Sequence, residues 1–201
     1  MDKSALMEQL RSTARVIQQE YCDPDTKLVW GEGNLDSSLV VVAEAPGASE
    51  DVIGRPFVGA AGELLNRELL RAGFTRESIY ITNVVKCRPT RGDDGKKSNR
   101  PPTTKEVRAW LDTLINELSV ISPSIILCLG AVSSSALIHP GFSMNAERGQ
   151  WFSGPLNTRA IATFHPAYLL RSRQYGEGPL RLFRADLDAV ANELHMLTRK
   201  V

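Results

Sequence analysis

Glu44, Glu50, Phe57, Asn83 and His165 are the residues whose types could together hold a flat heterocycle. Glu44 and Glu50 lie in Val41-Val42-Ala43-Glu44-Ala45-Pro46-Gly47-Ala48-Ser49-Glu50-Asp51, where a β-branched run ends in a rigid, acid-bearing loop. Phe57 follows, framed by glycine and proline in Gly54-Arg55-Pro56-Phe57-Val58-Gly59. A planar pyrimidine needs an aromatic face, and Phe57 supplies one. It also needs an amide, whose paired donor and acceptor match one base edge and mismatch another. Asn83 supplies that. It needs a donor aimed at an oxygen that gains charge as a base departs, which His165 supplies. Singly, each residue has an ordinary reading. A phenylalanine between proline and valine packs in a core, an asparagine at a strand end forms a turn, and a histidine before proline sits in a loop. On three convergent loops they read together as a nucleobase pocket.

The elements that must position these loops follow from periodicity. Residues 2–20 predict a helix, with Leu6, Leu10, Ala14 and Ile17 at helical spacing and Asp23-Pro24 as the stop. Leu39 to Ala43 predicts a buried strand. Ala61 to Arg71 predicts a helix closed by Gly73. Ile79 to Val85 is the second strand, followed by an exposed loop from Pro89 to Pro102. Thr103-Thr104-Lys105-Glu106 reads as a capping box opening another helix. Ser124 to Leu129 and Arg159 to Thr163 complete four strands, with a short helix from Ala131 to Ile138, a loop and irregular β segment over 139–158, and a last helix from Pro179 to Leu197. Alternating strands and helices imply a three-layer α/β/α sandwich with a central four-stranded parallel sheet. In such folds ligands sit beyond the carboxyl ends of the strands, where the loops bearing Glu44, Asn83 and His165 fall.

The 201 residues are 42% hydrophobic and 23% charged, which fits one domain spanning 1–201 with a substantial core. No apolar run approaches a membrane span, and the polar N-terminus is neither signal nor anchor. A net charge of +1 gives no global case for a polyanionic partner. Two local basic clusters, Lys86 to Arg108 and Arg171, Arg173, Arg181 and Arg184, suit a phosphate backbone along one face, with two ordinary solvated faces as the alternative reading. Three cysteines without a CxxC argue for a reducing, cytoplasmic setting and against a disulfide framework.

Glu44-Ala45-Pro46-Gly47, Gly54-Arg55-Pro56-Phe57-Val58-Gly59, Thr82-Asn83-Val84-Val85-Lys86-Cys87-Arg88-Pro89 and His165-Pro166-Ala167-Tyr168-Leu169-Leu170-Arg171 resemble the family 4 branch of the uracil-DNA glycosylase superfamily. The resemblance runs from Gly31 to the last helix and implies a monofunctional enzyme that removes uracil from DNA and leaves an abasic site. It implies that Phe57 stacks on flipped uracil, Asn83 reads its O4 and N3 edge, and His165 stabilises the uracilate. It also implies that Glu44, Ala45 and Gly47 line the pocket and that Glu50 holds water near the sugar. Leu169, Leu170 and Arg171 would enter the minor groove. Lys96, Lys97 and Arg100 on the basic loop would add DNA contacts. Another branch of the superfamily carries an aspartate where this chain has Ala45, so Glu44 and Glu50 share the water-directing role.

Family 4 members typically hold a [4Fe-4S] cluster on four cysteines. Here Cys87 alone keeps its place; Val16 and Gln19 stand near the missing CxxC and Trp110 near the fourth ligand. One or two thiolates cannot hold such a cluster. The expectation is no metal and no cofactor, with Trp110 filling the space; the alternative is a distorted metal site on Cys22 and Cys87. A related branch uses a histidine nucleophile in the basic loop, where Asn99 stands here. An amide nitrogen is not a nucleophile, so turnover rather than covalent trapping is expected. The expected partner is uracil-containing DNA, single- or double-stranded, met by a monomer. A non-cleaving binder of damaged DNA is the competing class. A nucleotide-binding domain is disfavoured, since no glycine-rich phosphate loop follows a strand.

Overall fold

The computed structural model describes residues 2–92, 97–172, 174 and 176–199. In chain order the elements are α1 (Lys3–Tyr21), β1 (Glu32–Gly33), β2 (Leu39–Ala43), α2 (Ala48–Ile53), α3 (Ala60–Arg71), β3 (Tyr80–Asn83), β4 (Thr90–Arg91), β5 (Ser98–Asn99), α4 (Thr104–Ile121), β6 (Ile125–Leu129), α5 (Ala131–Leu137), α6 (Met144–Glu147), β7 (Trp151–Ser153), β8 (Arg159–Thr163), α7 (Pro166–Ser172) and α8 (Gly178–Thr198).

The main sheet has the order β1-β3-β2-β6-β8-β7. Its four inner strands are parallel, as the alternating pattern requires. Two short antiparallel strands extend it: β1 pairs with β3, and β7 with β8. Sequence patterning missed β1, because a strand of two residues is too short to show a period, while β7 falls within the irregular β segment expected over 139–158. They cover the two edges of the parallel core, which would otherwise expose unpaired backbone groups.

Every residue of β2 and β6 is buried, the mark of strands covered on both faces. Side-chain alternation then divides the core in two. Val40, Val42, Tyr80, Ile126 and Cys128 face a layer containing Met7, Ala14, Trp110 and Leu114 from α1 and α4. Leu39, Val41, Ile81, Ile125 and Leu127 face Leu64, Leu65, Phe183 and Leu187 from α3 and α8. The predicted capping box opens α4: the Thr103 hydroxyl accepts from Glu106 N–H, and the Glu106 carboxylate accepts from Thr103 N–H.

The basic stretch after β3 differs from its sequence reading. Thr90 and Arg91 pair with Asn99 and Ser98 as a small hairpin. Asp23 anchors it, accepting from the Thr90 hydroxyl and the Lys97 ammonium. Lys86, counted with the surface charges, is fully buried. The cysteines also differ. Cys22, just past α1, and Cys87, just past β3, form a disulfide with Cα atoms 6.2 Å apart. The sequence separation of 65 hides this in the chain, since only the packing of α1 beside the turn after β3 brings them together. Cys128 is the free thiol, buried in β6, and desolvation pushes it up to about 12.

Candidate active site

The loops after β2, β3 and β8 converge on a cavity of about 560 Å³. Its lining includes Glu44, Ala45, Gly47, Glu50, Phe57, Asn83, Asn99, Arg100, His165 and Arg171. A space of that size suits a small planar ligand with part of its attached chain.

Asn83 ends β3 opposite Ala43 of β2 and is 3% exposed. The chain beyond it stays registered on the β2 loop, because Val84 and Val85 donate to the carbonyls of Ala43 and Glu44. Among the described residues its side-chain amide has no protein partner, so both amide ends are available to a ligand.

Phe57 has φ +54°, a left-handed conformation that a bulky residue adopts only when its surroundings impose it. Those surroundings are visible. Arg76 donates to the carbonyls of Phe57 and Pro56. Helix α3 approaches so closely at Gly62 that a Cβ there would lie 2.0 Å from the Phe57 carbonyl oxygen. The Phe57 ring lies 6.1 Å from that of His165, at an interplanar angle of 28°.

His165 opens the turn into α7. Its Nδ1 accepts the N–H of Ala167 at 3.1 Å, which leaves the proton of a neutral ring on Nε2. Burial lowers its pKa to about 4, assisted by the positive charge of Arg171 and opposed by Glu50. At neutral pH the ring is therefore an uncharged donor.

The two carboxylates, which the sequence left level, have separate environments. Glu50 accepts from Gly47 N–H with one oxygen (3.1 Å) and from Val58 and Gly59 N–H with the other (2.9 Å each). It thus ties the N-terminal ends of α2 and α3 together beside Phe57. Glu44 accepts no hydrogen bond through its carboxylate among the described residues. Desolvation raises its pKa, and Arg171 acts against that rise.

The residues expected at the DNA surface divide. Arg171 is exposed at the cavity rim and Leu170 is half-buried. Leu169 is 3% exposed and packs in the core on the α3 side, so it does not reach outward. The helical turn of α7 points it inward and puts Tyr168, 42% exposed, on the outer face. Arg100 lines the cavity with its guanidinium paired to both oxygens of Glu106 at 2.7 Å. Lys97 bridges Asp23 and Asp25. Lys96 lies outside the described residues. Asn99 accepts from Arg88 Nε through Oδ1 at 2.7 Å. Its Nδ2 lies near Gly47, 3.6 Å from where a Cβ on that glycine would stand.

Sequence reasoning missed the supports behind these groups. Arg76, Arg88, Gly62 and the buried pair of Lys86 and Glu117 carry no pattern that separates them from ordinary surface charge or helix interior.

The uracil DNA glycosylase superfamily profile matches residues 30–191. The chain belongs to that superfamily. Among curated proteins it is similar to a type-4 uracil-DNA glycosylase of Thermotoga maritima, 44% identical over 74% of each chain. It is also similar to proteins of the same description from Pyrobaculum aerophilum and Archaeoglobus fulgidus. Both are 37% identical over 85% of this chain, covering 86% and 88% of their own lengths.

The iron–sulfur cluster implied by the family 4 resemblance does not fit the residues present. A four-iron cluster takes four thiolate-class ligands. Beside Cys87 stands Cys22, already bonded to it. Trp110 is fully buried in the core on the α1 side, and its indole N–H, a donor only, has no acceptor there. Val16 is 64% exposed. Among the described residues no group of three or more His, Cys, Asp or Glu could hold a metal ion, and no helix is long and apolar enough to cross a membrane.

Proposed function

We propose that this protein is a monofunctional uracil-DNA glycosylase, hydrolysing the bond between uracil and deoxyribose to leave an abasic site. The observation that carries the reading is the convergence of three groups on one cavity: the Phe57 ring, the unpartnered Asn83 amide, and a neutral His165 with its proton on Nε2.

The mechanism follows from those groups. A flipped uracil stacks against Phe57. Asn83 presents a donor to O4 and an acceptor to N3–H, a pairing that cytosine's edge does not offer. As the glycosidic bond lengthens, charge develops on uracil O2, and the His165 Nε2–H donates to it. One such donor in a dry site lowers the barrier by about 3 kcal/mol. The sugar becomes cationic, and a carboxylate on its far side stabilises it and directs water. Glu44 takes this role, because its oxygens have no hydrogen-bond partner among the described residues while those of Glu50 are occupied. Flipping costs a few kcal/mol. Arg171 at the cavity rim and the exposed Tyr168 beside it on α7 repay part of it on the DNA. Asn99 offers an amide rather than a nucleophile, so the enzyme turns over without a covalent adduct. It acts as a monomer on single- or double-stranded DNA and works without an iron–sulfur cluster.

The test is incubation with a uracil-containing oligonucleotide followed by alkali, which cuts at abasic sites. Cutting is expected from the natural protein, and His165→Ala and Asn83→Ala should each abolish most of it while leaving a measurable residue. Retained binding without cutting would make the protein a damage binder instead. Unchanged cutting in both variants would mean the pocket lies elsewhere. Iron analysis of protein purified without air is expected to find none.

A further inference from the structure

Lys86 is a fully buried lysine, two positions beyond the end of the Thr82-Asn83-Val84 turn. An ammonium offers three hydrogens, and here all are used. Nζ donates to the Thr82 hydroxyl at 2.6 Å, to the Asn83 carbonyl at 2.8 Å, and to a Glu117 carboxylate oxygen. Glu117, on α4, is also fully buried. Its other oxygen accepts from the Tyr80 hydroxyl at 2.8 Å, and the Thr82 hydroxyl lies within reach of both oxygens. The ammonium stands 5.3 Å from the centre of the Trp30 ring. Burial pulls Lys86 below the ordinary lysine range, and Glu117 acts to restore it.

An ion pair buried this deeply is poor evidence of stability, because desolvating two charges offsets most of their attraction. Its placement points to another purpose. Strand β3 ends at Asn83, where the sheet no longer satisfies the backbone on both sides. The N–H groups of Val84 and Val85 hold one side of the turn to the β2 loop. Lys86 holds the other side through the Asn83 carbonyl. The residue whose amide faces the cavity is thus clamped at its own peptide group from behind.

We propose that Lys86 and Glu117 form a buried positioning pair that fixes the Asn83 amide in the cavity and thereby sets how strictly uracil is selected over cytosine. This rests on the reading of Asn83 as the group that meets the base edge. Neither residue touches the base. Glu117 holds Lys86, and Lys86 holds Asn83.

The experiment compares four proteins: natural, Lys86→Met/Glu117→Gln, Asn83→Ala, and the triple variant. The double variant removes both charges together, so no lone buried charge remains. Excision from oligonucleotides carrying uracil or cytosine is measured well below each variant's melting temperature. The double variant is expected to lose about tenfold or more in kcat/KM on uracil, the scale of one hydrogen bond from a charged group, and to narrow the uracil-to-cytosine ratio. In the Asn83→Ala background the same pair of changes is expected to have no further effect, since residues acting in series are not additive. A double variant with natural kcat/KM and ratio would overturn the proposal. So would a second, equal loss in the Asn83→Ala background. If Asn83→Ala itself cuts uracil normally, it is the pocket reading that fails. Should the double variant not fold, Glu117→Gln alone, which keeps an acceptor for Tyr80, must show the same dependence on Asn83.

Discussion

Glu50→Gln separates a carboxylate that handles water from one that holds the site together. The change alters no volume and removes one acceptor. One Glu50 oxygen serves Val58 and Gly59, the other serves Gly47. A glutamine will keep its oxygen on the side with two donors. Its NH₂ then faces the Gly47 N–H, donor against donor. The loss is one charge-assisted bond plus an unsatisfied donor, about 1–3 kcal/mol. For a chain of this size each kcal/mol moves the melting temperature by roughly 2–4 °C. The variant should therefore melt several degrees lower. Its excision should weaken mainly through KM, because the Gly47 loop and the segment carrying Phe57 loosen against each other. Glu44→Gln should behave in the opposite way. Its carboxylate bonds no protein group among the described residues, so melting should hold while kcat falls by a factor of about 10² or more, the scale of a directly acting acid or base. Thermal melts beside steady-state kinetics on a uracil oligonucleotide give both readouts. A Glu50→Gln protein with unchanged melting and a collapsed kcat would refute the clamp and return the water to Glu50.

As the pH falls from neutrality to about 4, the loss of excision should follow Glu44, whose carboxylate must stay ionised and whose pKa desolvation raises, and not His165, which burial keeps uncharged down to about 4. Stability should fall over the same range. The unfolded chain takes up the proton near 6.5 and the folded ring only near 4, so about 3 kcal/mol present above pH 6.5 is lost on descending to 4. Urea melts at stepped pH, with and without His165→Gln, will show whether that slope belongs to His165. Gly62→Ala should destabilise the fold and weaken uracil binding together, since a Cβ 2.0 Å from the Phe57 carbonyl forces the segment away from α3; an unaffected variant would mean that the positive φ of Phe57 is not imposed by packing. Reducing the bond between Cys22 and Cys87 should lower the melting temperature by roughly ten degrees, from the ~4 kcal/mol expected of a closed loop of that length, and Cys22→Ser should melt like the reduced protein.

The parts of the fold that patterning made legible are those with a long period. Helices α1, α3, α4 and α8 show their apolar stripes plainly, and the four parallel strands show as solid apolar runs, so the layered sheet could be read from the chain. What escaped has a common physical basis. Edge strand β1 is too short for alternation, and β7 showed only as an irregular β segment without bounds. Leu169 sits in a helical turn whose inward face is set by α3 and α8, and its apolar neighbour Leu170 gave no basis for choosing between them. Lys86 lies in a run of cations and is buried only because Glu117 arrives from α4, thirty-one residues on. The candidate site was more legible than its supports. Base-reading groups must be of particular types, whereas a clamp needs only a donor or acceptor at the right point in space.

That distinction bears on how a chain of this superfamily can lack the cluster cysteines and still present an ordered site. The loops that converge on the cavity are each fixed by a different local device. Glu50 and Arg76 hold the segment around Phe57. Lys86 holds the turn at Asn83. The Ala167 N–H fixes the ring of His165. Of the three, the Lys86 device adjoins the region of Cys22, Cys87 and Trp110, since Lys86 precedes Cys87 in the chain, but its own bonds run to Thr82, Asn83 and Glu117. What that region does hold is the start of the basic hairpin. Cys87 is tied to Cys22, and the next residue, Asp23, grips Thr90 and Lys97 while Arg88 orients Asn99. Loss of the tie should then be felt first at the hairpin wall of the cavity, where the DNA backbone would pass, and last at the wall that reads the base. Reduction should raise KM for DNA while leaving the preference for uracil over cytosine unchanged. A change in base preference on reduction would show that the two walls are mechanically coupled after all.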